Sequence, residues 1–218
     1  METTIAGERL QLFPQKAIFW PSKKVLFLAD LHLGKINHFR RAGIPVPTRA
    51  NDRNLEMIVD LVNQTRPERF ICLGDLFHSH YNPEWEAFGE LIKHFRETSF
   101  ELVMGNHDIM SDQQYRRKDI VVHERLHIAP FLLTHHPLEA TGNKANLQPG
   151  YNLAGHLHPG VTMRGAGKQS VTLPCFYFGR HSGLLPAFGT FTGLARIKPR
   201  KEDKVYVIAD EKIIPVVS

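Results

Sequence analysis

Short apolar runs that end abruptly at polar residues recur along this chain. Val25 to Ala29, Arg69 to Leu73, Phe100 to Met104, Ile128 to Leu133 and Tyr151 to Ala154 each give way to a cluster drawn from Asp, Asn, Gly and His. Runs of this length, bounded by turn formers, predict strands whose ends open into loops. Between the first three the apolar positions change to helical spacing. Leu55, Ile58, Val59 and Val62 share one face of a helix predicted between Thr48 and Pro67. Trp85, Phe88, Leu91, Ile92 and Phe95 share one face of a second, which Asn82-Pro83-Glu84 opens with a cap, a first-turn proline and an early acid. Upstream, Glu8 to Phe13 and Ala17 to Trp20 flank Pro14-Gln15-Lys16 and predict a hairpin. Lys35 to Pro47 predicts a short helix followed by an extended loop that covers a site, and Ser111 to Asp119 is polar and basic. Pro137 to Pro149, a mixture of Gly, Asn, Lys and Thr, reads as a long exposed loop at a substrate rim. After Ala154 the runs are β-like: Val161 to Arg164, Val171 to Phe178, Phe191 to Arg196 and Val205 to Ile208. The first half is thus β/α alternation and the second mainly β. With no repeat or linker to divide it, residues 1–218 are expected to form a single domain.

Composition narrows the class. A chain of 218 residues with 42% hydrophobic content is large enough to bury a full core. No run approaches the roughly 20 apolar residues of a membrane span, and the N-terminus has no basic segment followed by an apolar core. A cytoplasmic protein without membrane partners is expected. Cys72 and Cys175 sit in apolar runs far apart, which suggests core positions rather than a disulfide or thiolate metal site. The net charge of +5 gathers at Arg40-Arg41, Arg116-Arg117-Lys118 and Lys198 to Lys201. That suits a polyanionic substrate, although solvated basic surface accounts for the same charge.

The chemistry lies at the strand ends: Asp30-Leu31-His32, Gly74-Asp75-Leu76-Phe77-His78, Gly105-Asn106-His107-Asp108, His135-His136-Pro137 and Gly155-His156-Leu157-His158. Any one of these alone reads equally as a turn. Their recurrence after five apolar runs is what singles them out. Carboxylates, an amide and imidazoles without thiolate suit Mn²⁺, Zn²⁺ or Fe, and they are too many for one tetrahedral ion. Two ions that share a carboxylate clamp a phosphate and activate a water, which predicts phosphoester hydrolysis. His38, His80, His94, His123, His127 and His181 fall outside these clusters and read as surface or core residues.

From Asp30 to His158 the series D-x-H, G-D-x-x-[DH], G-N-H-[DE], a lone His and G-H-x-H resembles the ordered motifs of the calcineurin-like metallophosphoesterase superfamily. The resemblance implies an α/β fold, a four-layer metallophosphoesterase sandwich with two central mixed β-sheets flanked by helices. It also implies roles for the clustered residues. Asp30, His32 and His158 would hold one ion, Asn106, His135 and His156 the other, and Asp75 would bridge them. His107 is left to protonate the leaving oxygen, with Asp108 orienting its ring. His135 is preferred to His136 because it comes first after the strand, and His136 and His78 are expected behind the ligands or against the substrate.

Further stretches are more specific. GDLFH at Gly74 to His78 resembles the double-strand-break repair nucleases of the superfamily. LADLHLGK from Leu28, FRRAGIPVP from Phe39 and LPAFGTFTG from Leu185 together resemble the ligase-associated DNA damage response endonucleases of the PdeM family, over nearly the whole chain. This implies a phosphodiesterase with two divalent ions, Mn²⁺ first and Zn²⁺ or Fe as alternatives, cutting DNA in a bacterial repair setting beside ligase-associated proteins. Lys35, Arg40 and Arg41, and Arg116, Arg117 and Lys118, are positioned in sequence to meet phosphates flanking the scissile one. In Leu185 to Gly193, Pro186, Gly189 and Gly193 are read as shaping a tight crossing, with Phe188 and Phe191 in the core. No helix-turn-helix, zinc-finger or RNA-binding motif is present, so little sequence preference is expected. A phosphomonoesterase is the nearest competing reading. A silent interaction scaffold is disfavoured, because His107 and all seven ligand positions are filled.

Overall fold

The computed structural model describes residues 1–34, 49–78, 83–138, 150–165, 167, 169–190 and 192–216, with the backbone alone at 49–52 and 83. Lys35, Arg40 and Arg41 lie outside the described residues, as do His38, His80, Asn82, Phe191 and most of the loop expected after Pro137.

The first sheet has seven strands in sequence order: β1 (Glu2–Ile5), β2 (Glu8–Phe13), β3 (Ala17–Trp20), β4 (Val25–Leu28), β5 (Arg69–Leu73), β6 (Ser99–Val103) and β7 (Ile120–His123). β1 to β4 form an antiparallel meander, and β4 to β7 run parallel. Parallel neighbours need crossovers, and these carry the helices α1 (Arg49–Thr65), α2 (Pro83–His94) and α3 (Asp112–Arg116). The second sheet comprises β8 (Leu126–Ile128), β9 (Phe131–Thr134), β10 (Tyr151–Ala154), β11 (Pro159–Arg164), β12 (Ser170–Phe178), β13 (Ser182–Leu184), β14 (Ala195–Arg196), β15 (Lys204–Ala209) and β16 (Lys212–Val216). Its path is β14-β11-β12-β13-β10-β9-β8, and β15 and β16 join it through β12. At its centre β9, β10 and β13 are parallel.

Side chains alternate across a strand, and the continuous apolar runs are divided between two cores. Leu26, Leu28, Phe70, Cys72, Phe100 and Leu102 face Ile58, Leu61 and Val62 of α1 and Trp85, Phe88, Leu91 and Ile92 of α2. Val25, Phe27, Ile71, Leu73 and Val103 face the second sheet, meeting Phe131, Leu133, Leu153, Phe176 and Phe178. That double burial is why the central strands show no polar alternation. Each fully buried Leu or Phe contributes about 1.5–3 kcal/mol relative to exposure. Both cysteines are free and buried, and burial pushes the Cys175 thiol up to about 12.

Away from the strand ends, a charged cluster is paired across three strands of the first sheet. Arg69 on β5 donates through Nε and Nη2 to the two oxygens of Glu101 on β6, at 2.6 and 2.8 Å. His123 Nε2 on β7 meets Glu101 Oε2 at 2.8 Å.

Several elements differ from the sequence expectation. Ile128 to Leu133 is not one strand: Ala129-Pro130 turns the chain, and β8 pairs antiparallel with β9. Proline cannot donate to a ladder, so a strand through residue 130 is disfavoured. Of Phe191 to Arg196 only Ala195 and Arg196 are described as strand. The polar stretch Ser111 to Asp119 contains α3, where the Gln114 side chain accepts from the Ser111 amide at 3.0 Å and Tyr115 anchors the turn in the core. No helix among the described residues is long and apolar enough to cross a membrane.

Candidate metal centre

Ligands in open α/β sheets gather beyond the carboxyl ends of parallel strands, and the polar clusters follow that rule. Asp30 and His32 follow β4, Asp75 follows β5, Asn106 and His107 follow β6, His135 follows β9, and His156 and His158 follow β10. The loops after β4 and β5 stay zipped beyond their strands. Asp30 N donates to Gly74 O at 3.1 Å, His32 N to Asp75 O at 2.8 Å and Leu33 N to Leu76 O at 3.0 Å. Five of these polar residues have left-handed backbone: Asp30 (φ 54°), His32 (51°), Asp75 (50°), His156 (66°) and His158 (48°). Such conformations cost on the order of 1–3 kcal/mol each in a non-glycine residue and persist only where surroundings enforce them. Glycines make room for the crowding. A Cβ on Gly74 would lie 2.0 Å from His135 Nδ1, and one on Gly105 would lie 2.3 Å from Asp75 Oδ1.

Asp30 is fully buried and joins the two sheets, accepting the amide of His156 at 2.9 and 3.2 Å. Its Oδ1 lies 3.5 Å from His158 Nε2 and 3.8 Å from His135 Nδ1. Asp75 Oδ1 lies 3.5 Å from His135 Nε2, and Oδ2 lies 3.8 Å from His32 Nε2. Single ligand atoms of Asp30, His32 and His158 lie within 4.8 Å of one another, as do those of Asp30, Asp75 and His135, and those of His135, His136 and His156.

Backbone carbonyls set the tautomers. His135 Nδ1 is 3.1 Å from Leu73 O and His158 Nδ1 is 3.1 Å from Gly193 O. A carbonyl only accepts, so Nδ1 carries the proton in each neutral ring and Nε2 presents a lone pair inward. Among the described residues, the buried His158 Nε2 has no hydrogen-bond partner. The bare His135 Nε2 faces Asn106 Oδ1 at 3.0 Å and His156 Nδ1 at 3.1 Å. Burial and the neighbouring His136 and His135 hold the His156 imidazole below its usual pKa, favouring its neutral form. Convergent acceptor atoms fit divalent metal ions, and nitrogen–oxygen donor sets suit the borderline and hard ones.

The remaining expected site residues fall in different places. His107 is half-buried, with its amide on Asp75 Oδ1 at 2.9 Å and its ring centroid 4.3 Å from His78 and 5.7 Å from His32. Asp108 does not do what the resemblance implied. The hydrogen bonds of its buried carboxylate run to backbone amides, Asp75 N and Gly105 N at 2.8 Å and Phe77 N at 3.2 Å, instead of the His107 ring. It ties the loops after β5 and β6 together, and burial pushes its carboxyl up to about 6 against those three donors. The ring of the exposed His136 lies tilted against that of His156, with centroids 4.0 Å apart. Arg116 and Arg117 are exposed at the end of α3, whereas Lys118 packs over Gly89 of α2 and its ammonium donates to Glu86. That pairing removes Lys118 from the cations open to a substrate.

Sequence reasoning missed the supporting backbone. In the 185–193 stretch, Phe188 N donates to Ala29 O at 2.8 Å and Gly189 N to Asp30 O at 3.1 Å, while Gly193 O holds His158. A Cβ on Gly189 would lie 2.7 Å from Leu31 O. The stretch does seat Phe188 in the core, but it also grips the Asp30 loop. The only sequence signal for this was its glycine spacing.

The sequence profile of the calcineurin-like phosphoesterases matches residues 23–169, more than half of the chain. No curated protein matches it. Among solved structures, the nuclease MPE of Pseudomonas putida is 28% identical over 99% of both chains, with a TM-score of 0.82. YfcE, a phosphoesterase from E. coli, is 14% identical over 88% of this chain and 98% of its own, with a TM-score of 0.43. AQ665 of Aquifex aeolicus, a protein of unknown function, is 18% identical over 62% of this chain and 78% of its own, with a TM-score of 0.42.

Proposed function

Because the chain belongs to the calcineurin-like phosphoesterase family, we propose that it is a phosphodiesterase with two divalent metal ions, manganese first among them, and that it cuts DNA as an endonuclease in a bacterial repair setting. The observation that carries the binuclear reading is the Asp75 carboxylate, whose two oxygens face imidazoles of different groups, His32 at 3.8 Å and His135 at 3.5 Å. Asp30, His32 and His158 would hold one ion, Asn106, His135 and His156 the other, and Asp75 would face both. When bound, the pair would supply Lewis acidity for a phosphoryl group and a means of lowering the pKa of a water.

The chain's own residues do the rest. His107, fixed through its amide to Asp75, stands beside the ligands and protonates the leaving oxygen, a contribution of about 10²–10⁴-fold for a positioned acid. His78, 4.3 Å from it between ring centroids, steadies that ring or the phosphate it meets. Asp108 acts on geometry, locking the loops that carry Asp75 and Asn106. Arg116 and Arg117, with Lys35, Arg40 and Arg41, contact phosphates flanking the cut.

DNA is supported as substrate by the likeness to a nuclease over 99% of both chains. A paired assay tests it: nicking of supercoiled plasmid beside hydrolysis of a small diester and a monoester, with Mn²⁺ and with chelator, using His107→Ala as control. Metal-dependent nicking lost in the variant supports the endonuclease. Diester turnover without nicking moves the substrate to a nucleotide or other small diester, and monoester turnover alone overturns the diesterase reading.

A further inference from the structure

The binuclear arrangement leaves one imidazole unused. His136, on the turn after β9, has a ring nitrogen that lies with one from His135 and one from His156 within 4.8 Å of one another. The ring centroids are 4.0 Å apart for His136 and His156, and 4.8 Å for His135 and His136. Tetrahedral zinc, with Zn–N of about 2.0–2.1 Å, sets nitrogen ligands about 3.3 Å apart. His135 Nε2 and His156 Nδ1, at 3.1 Å, already stand at that spacing. The exposed third ring needs only to swing inward.

The backbone under His136 is held for this. Thr134 Oγ1 donates to His136 O at 2.7 Å. Asn152 Nδ2 donates to Thr134 Oγ1 at 2.9 Å and to Leu132 O at 3.0 Å, while Asn152 Oδ1 accepts from Leu138 N at 2.9 Å. Thr134 and Asn152 are both buried. This network pins the turn from its start to Leu138, so the Cα of His136 stays beside His156.

Two donor sets therefore share His135 and His156. With Asp75 and Asn106 the set is half oxygen, which suits Mn²⁺. With His136 it is three imidazoles, which suits Zn²⁺ and its neighbours to the right of the first row. We propose that His135, His136 and His156 form a three-imidazole site for an ion of the Zn²⁺ class, which competes with the oxygen-preferring ion for the second position of the binuclear centre. The proposal rests on the reading of His135 and His156 as metal ligands. Its consequence is that Zn²⁺ draws the second position away from Asp75 and so antagonises Mn²⁺.

The test is metal binding, read without turnover. Full-length protein stripped with chelator is titrated with Zn²⁺ and separately with Mn²⁺ against a chromophoric competitor, and with Co²⁺, whose visible absorption is intense only when four-coordinate. Wild type, His136→Ala, Asp75→Asn and His135→Ala are compared. His136 is exposed and outside the buried cores, so truncating it leaves those cores intact. For His136→Ala, Zn²⁺ affinity at one site should fall by about tenfold or more, the intense Co²⁺ band should vanish, and Mn²⁺ affinity should fall far less. Asp75→Asn should show the opposite preference. Unchanged Zn²⁺ binding in His136→Ala, or equal losses for both ions, overturns the three-imidazole site. His135→Ala separates the two readings: if it weakens neither ion, the binuclear assignment itself fails.

Discussion

Asp75 and His107 are linked by one hydrogen bond, yet their proposed roles separate cleanly. Asp75 faces both ligand groups and also accepts the His107 amide at 2.9 Å. Asp75→Asn keeps the size of the side chain but removes the charge that the two proposed ions would share. The protein should lose the two ions together, as read by metal content after desalting, and loss of only one ion would contradict the bridging role. His107 is given no such part in the proposed centre. His107→Ala should retain metal and lose about 10²–10⁴-fold in kcat, most on diesters with poor leaving groups. A His107→Ala protein emptied of metal would contradict the assignment. Asp108 shows how misleading adjacency is at this scale. It follows His107 in sequence, but its carboxylate turns to the amides of Asp75, Phe77 and Gly105.

Among the elements, β5, β6 and β7 share one ionic ladder, Arg69–Glu101–His123. Burial alone would raise the Glu101 carboxyl pKa, but the Arg69 fork and His123 outweigh it and hold the group below its usual value. A carboxyl depressed by folding contributes stability above the unfolded value of about 4.3, and that contribution is lost as pH falls through the folded pKa. Glu101→Gln should cost about 1–3 kcal/mol near neutral pH. It should also flatten the fall in stability below about pH 4.3, measured by denaturant unfolding in chelator so that metal loss does not intrude. A wild-type slope retained in the variant would assign the acid sensitivity elsewhere. The strand ends show a second element-level feature. D-x-H and H-x-H each place both polar residues in left-handed backbone, at Asp30 and His32 and at His156 and His158. Left-handed backbone at both ends of each triplet turns the chain sharply where the strand stops.

Across the whole molecule the candidate ligands come from both sheets: Asp30, His32, Asp75 and Asn106 from the first, His135, His156 and His158 from the second. Ions bound there would fasten the sheets together in the folded state only. Saturating Mn²⁺ should therefore raise Tm, by about 2.7 kcal/mol of stability per site at a hundredfold excess over Kd, and chelator should reverse it. A Tm indifferent to metal would count against a site spanning the sheets. The charge distribution also belongs to this scale. Arg116 and Arg117 are exposed while Lys118 is paired with Glu86. Arg116→Ala with Arg117→Ala should weaken plasmid cleavage and reduce its salt dependence, because each phosphate contact releases counterions. A small diester should be cut as before, and equal loss on both substrates would remove these arginines from the DNA path.

The sequence by itself determined the central strands that run up to the polar clusters and the two long helices between them, that the first half alternates β with α, and that Asp, Asn and His cluster at five strand ends. Those features are local: the length of an apolar run, its period and the residue that stops it are all read within a few positions. Only the tertiary structure decided which atoms meet. The Asp30 contact with the His156 amide joins residues 126 apart, and no local pattern encodes it. The carbonyls of Leu73 and Gly193 that fix the imidazole tautomers are backbone groups, invisible in side-chain composition. The exposure of Arg116 and Arg117 beside a paired Lys118, the turn of Asp108 away from its neighbour and the approach of His136 to His156 likewise depend on packing between distant segments. Sequence orders the donor groups along the chain, and the packing of two sheets against each other determines the distances between them.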